Sequence, residues 1–105
     1  MITKDTVPLG GTGASTLVHL TGDIDILTAA RLRQQLLNAL GYSTGRLVLD
    51  LSQVTFFGAD GLSVLISVQN RARARGVTLV LTGVPPRVAR VLRITGLEGH
   101  FPVKV

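Results

Sequence analysis

The chain has 105 residues, a formal net charge of +5 and no cysteine, and 46% of its residues are hydrophobic. This length suits one domain with a single core, and the apolar share is too high for a disordered chain. The lack of cysteine excludes a disulfide framework and a thiolate metal site. Apolar runs are too short to cross a bilayer and residues 1–5 lack a secretory pattern, so we expect a cytoplasmic protein without membrane insertion.

Strand-like and helix-like hydrophobic periods alternate along the chain. A first strand should end at Pro8, before a flexible connector over residues 10–15. We expect the first helix to have Thr28 as its N-cap and to stop at Gly41, with apolar residues recurring on one face. The other predicted strands are 16–20, 46–51, 77–81 and 101–105, and the other predicted helices are 60–74 and 86–95.

This alternation predicts an α/β fold: a mixed β-sheet with α-helices packed largely on one face. The links are short, and no linker or internal repeat interrupts them, so we expect residues 1–105 to form a single domain. The second helix is apolar over the widest arc and should therefore be the most buried of the helices.

Arginines supply much of the positive charge. Those within residues 71–75 fall in the last turns of the second helix, where cations meet the negative end of the helix dipole. Arg87, Arg90 and Arg93 recur every three residues, which is typical of the solvated stripe of an amphipathic helix. No aromatic residues are interleaved with them for base stacking. We therefore expect solvated faces and no nucleic-acid partner.

Candidates for catalysis are sparse. His19 alternates within a strand and His100 lies in a polar turn, and neither stands beside a nucleophile or metal-ligand motif. Asp23 and Asp25 can face one side of an extended segment, as paired carboxylates do in metal and acid–base sites. They also immediately precede a helix, where acids favour its start. We expect no catalytic residue, no metal and no cofactor.

The most informative segment runs from Asp50 to Leu62. A strand there leads into a turn bracketed by Gly58 and Gly61, and a helix follows. Backbone N–H groups at such a helix start face outward at the positive end of the dipole. The turn suits an anion or the acceptor groups of a partner, and a plain strand-to-helix connection is the alternative.

Three motifs, in this order and spacing, resemble those of the STAS domain of anti-anti-sigma factors (anti-sigma factor antagonists). They are Leu20-Thr21-Gly22-Asp23-Ile24-Asp25 with Thr28-Ala29, the segment from Asp50 to Leu62, and Thr95-Gly96-Leu97. The resemblance extends over most of the chain and implies a STAS-like mixed sheet. It also implies a partner-binding surface made of Asp23, Asp25, Thr28, Gly58, Ala59, Asp60 and Gly61.

In the family that this chain resembles, the antagonist docks on an anti-sigma factor with a histidine-kinase-like ATPase fold and so releases a sigma factor. The partner then phosphorylates a serine at the helix start of the antagonist. Here Ala59 occupies the serine position and offers no hydroxyl, and Gly58 replaces the family's aspartate. The resemblance therefore implies an antagonist without the usual phosphoserine switch, and leaves open whether it is a monomer or a dimer.

Two other interpretations fit parts of the sequence. An accessory STAS subunit that docks on a transporter ATPase, such as that of a lipid-export system, would carry the same motifs. A receiver domain would use Asp50 or Asp60 as phosphoacceptor, but it also needs a lysine late in the chain, and Lys104 stands at the terminus. The receiver interpretation is therefore disfavoured.

Overall fold

The computed structural model describes residues 2–8, 14–42, 45–97, 99, 101 and 103–104. The predicted order of strands and helices is confirmed. His100 and most of the predicted glycine-rich connector lie outside the described residues. The elements are β1 Ile2–Pro8, β2 Ala14–Ile24, α1 Ile26–Tyr42, β3 Arg46–Phe57, α2 Ala59–Ala74, β4 Thr78–Thr82, α3 Pro86–Ile94 and β5 Val103–Lys104.

The strands form one sheet in chain order, β1-β2-β3-β4-β5. β1 runs antiparallel to β2, and the pairs β2–β3, β3–β4 and β4–β5 are parallel. In each parallel pair, one helix connects the two neighbouring strands. All three connections move in the same direction across the sheet. Because such crossovers are right-handed, α1, α2 and α3 lie on the same face. The predicted α/β fold, with a mixed sheet and helices on one face, is confirmed.

The core lies between that face of the sheet and the helices. Along β3, Leu47, Leu49 and Leu51 are buried, whereas Val48 and Asp50 between them are only half-buried. Helix α2 contributes a continuous buried stripe, longer than those of α1 and α3 among the described residues, as its wide apolar arc predicted. The stripe consists of Gly61, Val64, Leu65, Val68, Gln69 and Ala72.

Helix α1 begins earlier than predicted, and Thr28 is not its N-cap. Asp25 caps the helix: its Oδ1 accepts hydrogen bonds from the backbone N–H groups of Leu27 at 2.9 Å and Thr28 at 3.2 Å. Thr28 Oγ1 accepts a hydrogen bond from the Asp25 N–H at 3.0 Å and donates to the Asp23 carbonyl at 2.9 Å. This reciprocal arrangement is a capping box, and it sets the helix start at Ile26.

Gly41 does not stop α1, which continues to Tyr42. A glycine ends a helix when it adopts a left-handed conformation, and Gly41 has no positive φ. The predicted stop was therefore wrong.

β2 and β3 continue together well beyond the end of β4. β3 pairs with β4 only over residues 46–50, but it pairs with β2 as far as Phe57, opposite Ile24. The register between β2 and β3 shifts twice along this length, and each shift adds one residue to β3. Bulges of this kind bend a strand and redirect the side chains that follow.

A polar pair links β2 to β3 at the point where β4 ends. His19 Nδ1 lies 2.9 Å from Asp50 Oδ2, and the Ser52 backbone N–H donates to Asp50 Oδ1 at 2.9 Å. Burial raises the pKa of the Asp50 carboxyl, but the hydrogen bonds from Ser52 and His19 outweigh burial and hold that pKa below its ordinary value. The carboxylate is therefore ionised at neutral pH and joins the two strands.

Gly61 and Gly41 provide a matched test of this packing. A Cβ at Gly61 would lie 2.8 Å from Cε2 of the buried Phe57 ring and 3.0 Å from Cγ2 of the buried Ile24, whereas a Cβ at Gly41 would meet no atom within 4 Å. Gly61→Ala should lower the free energy of unfolding by about 1–3 kcal/mol, since the close-packed core must shift. Gly41→Ala should raise it by about 0.5–1 kcal/mol through helix propensity.

Urea unfolding followed by circular dichroism measures both effects. If Gly61→Ala were as stable as the wild-type protein, the packing of Phe57 over the start of α2 would be wrong.

Candidate functional site

Two loops lie side by side at the carboxyl edge of the parallel strands. Asp23 pairs with Phe56 and Ile24 with Phe57 at the end of the β2–β3 ladder. The Gly58 N–H then donates to the Ile24 carbonyl at 3.4 Å. We refer to residues 23–28 and 55–61 together as the docking edge. In open α/β sheets, binding sites form outside the carboxyl ends of the strands, so this edge is the candidate site.

The structure brings both groups of predicted site residues to the docking edge. Gly58 is the N-cap of α2 at φ −104° and no side chain caps the helix there. Ala59 and Asp60 follow as exposed residues of the first turn, so the predicted phosphoserine position lies at the surface. Gly61 differs from the others, because it is buried beneath Phe57 and Ile24. It is a packing residue rather than part of the exposed surface.

The acidic residues and Thr28 have local partners. Asp25 and Thr28 form the capping box of α1. Asp23 Oδ1 accepts a hydrogen bond from Thr55 Oγ1 at 2.6 Å. Asp25 therefore favours the helix start, as one of the sequence interpretations held, and Asp23 ties the two loops together. Within the described part of the chain, no group of three histidine, aspartate or glutamate residues is placed to hold a metal ion.

Large apolar side chains are exposed at the same edge. The exposed fraction is 86% for Leu27, 74% for Ile26 and 51% for Phe56. These three residues were not among the predicted partner-binding residues. A helical projection would have identified Leu27, which falls roughly 170° from the centre of the buried arc of α1. Exposed apolar groups rimmed by polar residues are typical of binding surfaces, so these side chains make the docking edge a candidate protein-binding surface.

An open groove of about 240 Å³ runs between α1 and α2 and starts at the docking edge. Ile26 and Asp60 line its near end, and Ser63 and Ser67 of α2 line its length together with small residues of α1. Ala29, Ala30 and the two serines are small and leave this space open, and Arg33 and Val64 complete its lining.

Helix α3 also reaches the docking edge. Arg87 Nη1 donates a hydrogen bond to the Thr55 carbonyl. The side chain is exposed, as the stripe pattern predicted, but it is not merely solvated. No sequence signal separated Arg87 from Arg90 or Arg93, since the three share the same spacing and charge. In the described part of the chain, no helix is both long and apolar enough to cross a bilayer.

Comparison with known proteins places these features in a family. A family model described as "Mlab, STAS domain" matches residues 8–104. A Mycobacterium tuberculosis protein named as a candidate anti-anti-sigma factor is 33% identical over 95 residues, which cover 89% of this chain and 64% of that protein. The anti-sigma-B factor antagonist of Listeria monocytogenes is 30% identical over 88 residues, which cover 83% of this chain and 76% of that protein.

Solved structures show the same similarity in fold. An anti-sigma factor antagonist from Mycobacterium paratuberculosis matches with a TM-score of 0.72 and 32% identity, over 98% of this chain and 85% of that one. A sulfate transporter family protein from Wolinella succinogenes matches with a TM-score of 0.73 and 25% identity, over 94% of this chain and 80% of that one. The motifs, the fold and these relatives agree: the chain belongs to the STAS domain family.

Proposed function

We propose that this protein binds an anti-sigma factor with a histidine-kinase-like ATPase fold and thereby releases a sigma factor. The docking edge forms the contact surface, and the chain acts in the cytoplasm as a single domain without catalytic activity of its own. The names of the similar proteins support an anti-sigma factor as the class of partner.

The observation that carries this proposal is the convergence of two loops and three exposed apolar side chains at one edge of the sheet. Asp25 and Thr28 fix the first turn of α1, which presents Ile26 and Leu27. A rigid turn loses little conformational entropy when it binds, so the apolar area buried by a partner contributes more fully to affinity.

We propose further that this antagonist lacks the phosphoserine switch. Ala59 is the exposed first residue of α2, where its methyl group cannot accept phosphate. The nearby Thr55 hydroxyl lies four residues before Ala59 and already donates a hydrogen bond to Asp23 Oδ1 at 2.6 Å. Phosphoryl transfer needs the acceptor oxygen within about 3–3.5 Å of the phosphorus, and Thr55 is poorly placed for that approach. Control would then depend on the amount of the protein or on another site.

The similarity to a sulfate transporter family protein favours a second candidate function. In that case the chain would be an accessory STAS subunit that docks on the ATPase of a transporter. The two functions differ in the partner recovered from native lysate. A tagged protein should co-purify with a soluble kinase-like ATPase under the first function and with membrane components under the second, and mass spectrometry identifies which is present.

Leu27 and Ile94 allow a matched test of the contact surface. Both are large, apolar and exposed, at 86% and 71%, but Ile94 lies at the far end of α3, away from the docking edge. Leu27→Ala should weaken binding to the recovered ATPase at least about tenfold, since burying a leucine contributes about 1.5–3 kcal/mol. Ile94→Ala should leave the affinity unchanged, as measured by calorimetry.

Equal affinities of the Leu27→Ala and Ile94→Ala variants would place the contact elsewhere. Leu27 is a better probe than Asp25, because Asp25→Ala also removes the helix cap and costs about 1 kcal/mol of stability.

Ala59→Ser tests the missing switch. Incubated with the recovered ATPase and ATP, the wild-type protein should gain no phosphate, whereas Ala59→Ser should be phosphorylated and then dissociate, because the added charge and bulk disrupt a packed contact. Combining it with Gly58→Asp should increase the yield, since aspartate is a good N-cap and the half-exposed Phe56 ring, which a Cβ would approach to 3.2 Å, can move aside.

Intact-mass and peptide analysis measures the phosphate. Stoichiometric phosphate on Thr55 or Ser63 of the wild-type protein would show that the switch has moved rather than been lost.

A further inference from the structure

Thr55 occupies an irregular position in β3. Gly22 pairs with Val54 and Asp23 pairs with Phe56, so Thr55 is the extra residue of a bulge and has no counterpart on β2. β4 gives no support on the other side, because its pairing with β3 ends at Asp50. The strand that leads into Gly58 and Ala59 therefore passes through a residue outside the regular ladder. Bulges redirect the chain that follows them, and their position must be held by other contacts.

Two polar contacts hold Thr55. Its hydroxyl donates to Asp23 Oδ1 at 2.6 Å, which ties the bulge to the loop between β2 and α1. Its carbonyl accepts a hydrogen bond from Arg87 Nη1, which ties the bulge to the start of α3. Arg87 thus supplies a donor to a backbone carbonyl where the shorter β4 offers none. A bond from a guanidinium is charge-assisted and stronger than one between neutral groups.

We propose that Arg87 is a positioning residue for the docking edge. By fixing the bulge at Thr55, it sets where Phe56 is exposed and where Gly58 begins α2. The role of Arg87 in partner binding rests on the proposed function, whereas its role in fixing the conformation around Thr55 does not. Arg87 acts through the backbone of β3, and this distinguishes it from an arginine that contacts the partner directly.

Arg90 is the matched control. It belongs to the same helix, carries the same charge and is also exposed. Arg87→Ala and Arg90→Ala therefore change the net charge and the composition of α3 equally, and only the first removes the bond to Thr55.

The test compares the two variants in the free protein and in binding. Hydrogen exchange and NMR signals report on the Gly58 N–H, which donates to Ile24, and on the Leu62 N–H, which donates to the Gly58 carbonyl. Arg87→Ala should speed exchange at both amides about tenfold and shift the Gly58 and Ala59 signals, since a bond to a charged donor is lost. It should also weaken binding to the recombinant kinase-like ATPase about tenfold, and Arg90→Ala should change neither.

Three results would overturn the proposal. Arg87→Ala could match Arg90→Ala in exchange, which would show that the bond does not hold the loop. Affinity could fall with no change in exchange, which would make Arg87 a direct partner contact. Exchange at Gly58 and Leu62 could speed up in Arg87→Ala while its affinity for the ATPase stays unchanged, which would show that binding does not need this geometry. If the wild-type protein bound no such ATPase, the proposed function would fail, and the exchange and NMR results would still decide whether Arg87 holds the loop.

Discussion

The parallel pairing of β2 with β3 beyond the end of β4 is the constraint on which the rest of this structure depends. It carries two strands to the same edge of the sheet, so the turns that follow them, at Asp25 and Gly58, lie side by side. Had β3 ended level with β4, near Asp50, the start of α2 would lie further back and Phe56 would not lie at this edge. The two bulges in β3 adjust this overhang, and the His19–Asp50 pair joins the strands where it begins.

The residues that cap α1 also form part of the proposed partner surface. The groups that cap α1, Asp25 and Thr28, also hold the turn that exposes Leu27, so the surface is built from contacts that the fold needs in any case. The start of α2 is different, because Gly58 supplies no side-chain cap and Ala59 supplies no hydroxyl. Backbone N–H groups in that first turn lack a side-chain acceptor from the N-cap, and acceptors from a partner can bond to them. Under the proposed function, this edge binds the partner but has at Ala59 no hydroxyl whose phosphorylation would end binding.

Periodicity predicted the order of the elements well, because the alternation of Leu47, Leu49 and Leu51 and the buried stripe of α2 both follow from burial on one face. Periodicity does not predict features that depend on single side-chain contacts, such as the exact start of a helix. Threonine is a common N-cap, so the pattern predicts Thr28 there, whereas its reciprocal bonds with Asp25 place the helix start earlier, at Ile26. The bulge at Thr55 and its contact with Arg87 join residues that are distant in sequence, and no local pattern contains that information. The motif resemblance selected residues that the structure brings to one edge of the sheet, but it could not show that Gly61 is buried.

We infer that the partner of this protein contacts both loops of the docking edge. Hydrogen exchange tests this proposal directly when it is read residue by residue, first on the protein alone and then with the proposed kinase-like anti-sigma factor. We expect new protection in residues 23–28 and 55–61 and little change at the far end of α3 around Ile94. Protection confined to other surfaces, with exchange at residues 23–28 and 55–61 unchanged in the complex, would contradict the account.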